Sequence, residues 1–352
     1  MASIQVKNFN LPWHSAANYW IVVFPTSGNF SATASKTLMD AGLQPAGNGG
    51  VSIKAGTKWK EKWESIFKAL QQAGALAGIE VAVVGGESLP SEITDRRTAA
   101  NIQAIAESLW LGEALLENRV MCYLQPVMSS KEKTFGYESF ARVKMPDGSV
   151  VAGDKIMAAS RALNIEFMID RLLHVQAIHT FATSNFNGYL FVNFFPGFIH
   201  RPAVYLEGLS ETAKQYGIFS KHIVLDFTRS ETQRDMSHIK SVCDYCHAQG
   251  YSIALDDIES VEGAKKLVAE IRPDFVKIDM QLARQAGDSG KRAQIKGIVD
   301  LTHAAGGTVI GEGIETDETY AHLRDLGVDL FQGYLFSPPV PVEVVAKKTA
   351  AG

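Results

Sequence analysis

The sequence predicts an α/β chain with a small N-terminal α/β domain, a connecting helix and a larger region of parallel strands alternating with helices. Three observations carry this. All five tryptophans (Trp13, Trp20, Trp59, Trp63 and Trp110) fall in the first third of the chain. After Val120 the texture changes to short apolar runs separated by longer amphipathic stretches. Polar residues then recur just beyond the apolar runs. A length of 352 residues suits about two domains, and a hydrophobic content of 46% leaves ample material for their cores.

In the N-terminal part, residues 1–94, Tyr19 to Phe24 reads as a strand ended by Pro25. A glycine-rich connector at Gly47–Gly50 leads to a helix whose Trp59, Trp63, Ile66, Phe67 and Leu70 share one face, a core stripe. Ile79 to Val84, closed by Gly85-Gly86, reads as a buried strand. Residues 95–117 form an amphipathic helix with Ile102, Ile105, Leu109 and Leu115 on one side. Within 118–345 the strand runs are 122–127, 189–194, 223–227, 252–255, 275–278, 308–310 and 330–331. The helical stretches between them include 203–217, 231–250, 261–271, 291–306 and 316–327, and several end in glycine, as helix C-termini often do. This alternation implies a parallel sheet, open or closed into a barrel. Residues 346–352 are a tail.

Composition excludes several classes. A net charge of −4 does not suit a protein that coats a nucleic acid polymer. Three cysteines make no disulfide framework, and no apolar run is long enough to span a bilayer. With no secretory leader pattern at the N-terminus, the reading is a cytoplasmic protein without a membrane partner. Cys243-Asp-Tyr-Cys246-His247 matches a haem-attachment pattern, but it lies within a predicted helix and is set aside. Gly311-Glu-Gly313 is a strand-end turn, not a dinucleotide fingerprint.

The strand ends carry the chemistry. Asn193, Asp226, Asp256, Asp257, Glu312 and Gln332 each follow an apolar run, and Lys277 and Asp279 flank Ile278. Any one of these acids reads as a helix cap, but parallel barrel strands deliver their C-terminal ends to one mouth, where the whole set converges. Carboxylates with one Asn carbonyl are hard oxygen ligands suited to Mg²⁺ or Mn²⁺. The adjacent Asp256 and Asp257 could serve two ions, and Lys277 could stabilise an anionic phosphorus centre or orient a water. The residues alone therefore suggest a two-metal phosphodiesterase mouth.

Tyr123-Leu-Gln125-Pro-Val127 followed by Gly136-Tyr-Glu138-Ser-Phe-Ala-Arg142 resembles the opening of an EAL domain, with Glu-Ser-Phe where the signature has Glu-Ala-Leu. Val192-Asn193, Leu225-Asp226-Phe-Thr228, Ala254-Leu-Asp256-Asp257, Val276-Lys277-Ile-Asp279, Gly311-Glu312-Gly-Ile-Glu315-Thr316 and Gln332-Gly-Tyr-Leu-Phe336 resemble its later motifs in order. The resemblance implies a TIM-barrel-like fold, often dimeric, that opens cyclic di-GMP to linear pGpG with two Mg²⁺ or Mn²⁺ ions. By this resemblance Glu138, Asn193, Asp226 and Asp256 are metal ligands, with Asp256 and Asp257 serving the second ion. Lys277 sits beside the hydrolytic water, with Glu312 near the ions and Gln332 supporting the site. Arg142, Gln125, Asp279, Glu315 and Gln332 are implied to meet the substrate, Arg142 at a phosphate and Glu315 at a guanine edge.

The sequence departs from the family at three places. Asp226 replaces a metal-binding Glu and is one methylene shorter. Arg229 replaces the Glu that anchors the loop after the paired aspartates. That loop, usually Phe-Gly-Thr-Gly, is Ile258-Glu259-Ser-Val-Glu262-Gly263, without the flexible glycine positions that follow the aspartates. An Arg229 ion pair with Glu259 or Glu262 is one expectation, and simple decay of the loop is the other. The function expected is a phosphodiesterase. The alternatives are a nucleotide receptor without turnover, suggested by the altered loop, and an interaction module, suggested by Ser139-Phe140.

Overall fold

The computed structural model describes residues 16 and 18–345, apart from 47–48, 185, 197–198, 200 and 229–234. Two compact units emerge, one running through Val120 and including Val143–Glu166, the other comprising Met121–Arg142 and the chain from Phe167 onward.

In the first unit an antiparallel sheet has the order Gln44–Pro45, Val51–Lys54, Tyr19–Pro25, Ile79–Gly85, Arg97–Thr98. The central strand alternates as its β-branched sequence requires. Val22 and Phe24 cluster with Ala82 and Ile93 on one face, so Ile21 and Val23 point to the other. The tryptophan helix, Trp59–Gln72, buries Trp59, Trp63, Ile66 and Leu70, four positions at helical spacing. Ala99–Leu116, capped by the Thr98 hydroxyl accepting from Asn101 N–H at 3.2 Å, packs on that helix and on strand Ile79–Gly85. Helix Gly153–Leu163, not foreseen from the sequence, packs against it in turn.

The second unit is built on a closed barrel of eight strands: β1 (Val120–Ser129), β2 (Thr134–Lys144), β3 (Tyr189–Asn193), β4 (Ile223–Thr228), β5 (Ser252–Ile258), β6 (Phe275–Ile278), β7 (Thr308–Gly311) and β8 (Leu330–Phe331). The strands from β2 to β8 pair in parallel order, and β1 closes the ring between β8 and β2. One feature departs from a uniformly parallel sheet. β1 runs antiparallel to β8, because it is joined to β2 by a tight turn in which Ser129 N–H donates to the Lys133 carbonyl and the Ser129 hydroxyl accepts from Lys133 N–H.

Side chains alternate along each strand, so one set fills the barrel and the other meets the helices outside. Val127, Phe191, Val224, Ala254, Phe275, Ile310 and Leu330 form the apolar inner layer. Leu190, Leu225, Ile253, Val276 and Val309 point outward against helices such as Met236–Ala248, Val261–Ile271 and Ser289–Ala304. Two residues beyond each inner-layer side chain the next inward position lies at the mouth. On β1, which runs the other way, it lies two residues before Val127, at Gln125.

A bulge interrupts this rule. Between β5 and β6 the register passes from Leu255 opposite Val276 to Ile258 opposite Ile278, which inserts one extra residue at Asp256-Asp257. Asp257 takes the left-handed conformation, φ 58°, needed at such a position. Cys243 and Cys246 are buried in the helix core, with the Cys246 thiol pushed up to about 12 by burial. The tryptophan layer is directly testable: Trp63→Ala should lower the unfolding free energy of its unit by about 3–5 kcal/mol, measured by denaturant titration.

Candidate active site

At the mouth, the β6 residue Lys277 is fully enclosed, with 1% of its surface exposed. Its ammonium lies 2.8 Å from Asp226 Oδ2, 3.1 Å from Glu138 Oε2, 2.7 Å from Glu312 Oε1 and 3.6 Å from Asp256 Oδ1. These acids come from β4, β2, the end of β7 and β5. Gln332, just past β8, donates to Glu138 Oε2 at 2.8 Å and to Gln125 Oε1 at 3.1 Å, and Gln125 donates to the Ser337 carbonyl at 2.9 Å. Strands from both sides of the barrel closure are thereby tied to one carboxylate.

The electrostatics follow from crowding. Burial alone would lower the Lys277 pKa, but Asp226, Asp256, Glu138 and Glu312 outweigh it and hold the ammonium well above its ordinary range. Burial, with Asp256 and Glu138 adding repulsion, raises Asp226 well above a normal carboxylate despite Lys277. Burial and Asp256 do the same to Glu312. At the rim, burial and the neighbouring Asp256 push Asp257 up to about 6. Asp226 Oδ1 and Gln332 Oε1 are buried without a hydrogen-bond partner.

A cleft of about 440 Å³ opens above this floor, lined by Gln125, Glu138, Asn193, Asp256, Asp257, Asp279, Glu312, Glu315 and Gln332. Thus most of the residues expected from sequence are brought together, with Asp226 and Lys277 beneath. Asp279 also caps the short helix Met280–Arg284, accepting from Gln281 N–H at 2.8 Å. Glu315 is paired with Arg284 at 2.5 Å. Arg142 is not among the cleft-lining residues; it donates to the Ala141 carbonyl and lies over the Phe140 and Tyr123 rings.

Arg229 lies outside the described residues, so its expected pairing does too. Glu259 and Glu262 are exposed. The rebuilt loop has a clear local logic, since Ser260 caps helix Val261–Ile271 by accepting from Gly263 N–H at 3.1 Å. The left-handed residue is Asp257 itself, and 258–262 needs none. Phe140, Met280, Arg284 and Tyr334 also line the cleft. Sequence reasoning missed them, because its signal was polarity directly after an apolar run.

A family model for the EAL domain matches residues 109–339. The chain belongs to the EAL domain family. An uncharacterised protein of Mycobacterium tuberculosis H37Rv is 23% identical over 308 residues, 86% of this chain and 48% of that protein. The cyclic di-GMP phosphodiesterase PdeB of Shewanella oneidensis is 25% identical over 240 residues, 66% of this chain and 28% of that protein. The chain therefore spans about half or less of these relatives. Among solved structures, the standalone EAL protein of Vibrio cholerae O395 in its c-di-GMP-bound form is 26% identical, with a TM-score of 0.56 over 63% of this chain and 93% of that one. An EAL domain protein of Listeria monocytogenes EGD-e shares the fold at 23% identity, with a TM-score of 0.61 over 70% and 98% of the two chains. Among the described residues, no helix is long and apolar enough to cross a membrane.

Two outcomes follow for this EAL domain. Lys277→Met removes the cation shared by four acids, and should lower stability without metal by about 3–5 kcal/mol, read by denaturant unfolding in chelator. For Asp257, a folded pKa above the unfolded one makes its contribution favourable at low pH and lost as pH rises through about 6. Asp257→Asn should therefore raise the thermal midpoint of metal-free protein at pH 7.5 and leave it nearly unchanged at pH 4.

Proposed function

We propose that this chain is a metal-dependent phosphodiesterase that opens cyclic di-GMP to linear pGpG. The single observation that carries the reading is the acid cluster at the mouth. Four carboxylates surround one ammonium there, an excess of negative charge that calls for added cations.

The donor chemistry fits Mg²⁺ or Mn²⁺, since carboxylates and an amide supply hard oxygens and Asp226 Oδ1 is buried without a partner. As the side chains stand, no three or more acids among the described residues form a ready cage, because Lys277 draws four of them inward. Glu138, Asn193, Asp226 and Asp256 would hold one ion, and Asp256 with Asp257 a second. When bound, the ions neutralise the acids, supply positive charge at the phosphoryl group and acidify water.

The chain's own residues do the rest. Lys277 keeps a fixed positive charge at the cleft floor, suited to orienting the attacking water and offsetting charge on phosphorus. Glu312, whose pKa is raised by burial and by Asp256, is placed to exchange a proton beside it. Gln332 locks Glu138 in place through the 2.8 Å bond. Gln125, Asp279, Glu315 and Gln332 border the space a substrate would fill, Glu315 needing to leave Arg284 to meet a base. Names of relatives support the substrate, as PdeB is called a cyclic di-GMP phosphodiesterase and the Vibrio structure is a c-di-GMP-bound form. Residues 118–345 carry the reaction in this reading, with 1–94 regulatory, 95–117 connecting, and the barrel dimeric.

A receptor without turnover is the second reading, favoured by the rebuilt Ile258–Gly263 loop. One assay separates them. Near-stoichiometric protein with Mn²⁺ should convert cyclic di-GMP to pGpG, and Glu138→Ala should lower the rate at least about 100-fold. Tight nucleotide binding with no product in either ion would make the chain a receptor.

A further inference from the structure

Asn193 ends β3, and the next residue still joins β4, Phe194 N–H donating to the Asp226 carbonyl at 2.7 Å. The Asn193 carbonyl itself meets His174 Nε2 at 2.6 Å. A carbonyl oxygen only accepts, so Nε2 carries the proton. On the far side of the ring, the Tyr205 hydroxyl meets both His174 Nδ1, at 2.6 Å, and the Asp170 carboxylate.

This chain of polar groups is buried throughout, with His174 3%, Asp170 4% and Tyr205 3% exposed. Asp170 and His174 sit one turn apart on helix Glu166–Thr183, so they share a face. Tyr205 comes from helix Pro202–Gln215. The surroundings are apolar, with Phe194, Ala177, Ile178 and Leu206 in the same core. Three apolar residues would fill this layer without the cost of burying polar atoms. A fully connected network in such a place instead holds whatever it ends on in one position, and it ends on the residue whose side chain enters the cleft.

We propose that His174, itself fixed by Tyr205 and Asp170, is a positioning residue that sets the Asn193 side chain for ion binding by gripping the Asn193 carbonyl. The inference rests on the reading of Asn193 as a metal ligand given above. Hydrogen-bond partners one layer behind a ligand orient it, and their loss weakens metal affinity while leaving the ligands in place.

The test is Mn²⁺ binding to the full chain without nucleotide, followed by the electron paramagnetic resonance signal of free Mn²⁺. His174→Leu should weaken binding roughly 10-fold, with the nucleotide KM at saturating Mn²⁺ unchanged. His174→Gln, whose amide nitrogen reaches toward the Nε2 position, should regain most of the affinity. A role in packing alone would give no such rescue. Tyr205→Phe keeps the ring and removes the hydroxyl, and should shift affinity in the same direction; it decides the matter if His174→Leu does not fold. Wild-type Mn²⁺ affinity in folded Tyr205→Phe and His174→Leu proteins would overturn the positioning role alone. Mn²⁺ binding that is absent in the wild type, or unchanged in Glu138→Gln, would instead overturn the metal site and this inference with it.

Discussion

The Lys277 ammonium is the interaction on which the candidate site depends. It reaches carboxylates delivered by four different strands and is sealed from water by them. Without a cation at that point, Glu138, Asp226, Asp256 and Glu312 would repel one another in a medium of low polarity, and the mouth could not close around them. Burial and the same crowding raise the pKa values of Asp226 and Glu312, so both acids resist ionisation more than free carboxylates do. Lys277 meets that electrostatic demand from within the barrel.

Barrel geometry makes that demand possible. Alternation along each strand places an apolar inner layer, Phe191, Val224, Ala254, Phe275, Ile310 and Leu330, one step below the polar one. The apolar layer keeps the strands at fixed spacing and water out of the floor. The polar layer then sits at the first inward position where the cleft opens. β1 obeys the same rule in reverse, and Gln125 meets Gln332 across the closure at 3.1 Å. The bulge on β5 breaks period two, and it lets two successive aspartates approach the mouth.

The loop after those aspartates shows how local chemistry can be exchanged without loss of order. Ser260 starts the following helix by capping it, and the left-handed residue is Asp257. A non-glycine residue in that conformation carries some strain, which the bulge geometry and the Asp257 N–H bond to Asp256 Oδ1 at 2.8 Å help to hold.

Much of this was legible in the sequence. The strand runs at 189–194, 223–227, 252–255, 275–278 and 308–310 stand within a residue or three of the observed strands, because buried parallel strands are continuous apolar runs. Val261–Ile271 matched to the residue, since Ser260 before it and the spacing within it are both local signals. The residues following those runs were grouped at one mouth by the same logic. The antiparallel β1, the helices Gly153–Leu163 and Glu166–Thr183, and the cleft-lining Met280 and Tyr334 were not legible. The burial of Asp170 and His174 hides the amphipathic pattern of their helix, and no polarity marks the apolar rim.

What the sequence by itself determined is the order of strands and helices and the chemical type of the groups at the strand ends, because periodicity and polarity are written in neighbouring residues. What only the tertiary structure decided is which atoms meet. Lys277 and Glu138 are separated by 139 positions, and Gln332 and Gln125 by 207. Their distances are set by barrel closure, a long-range constraint that no local pattern contains.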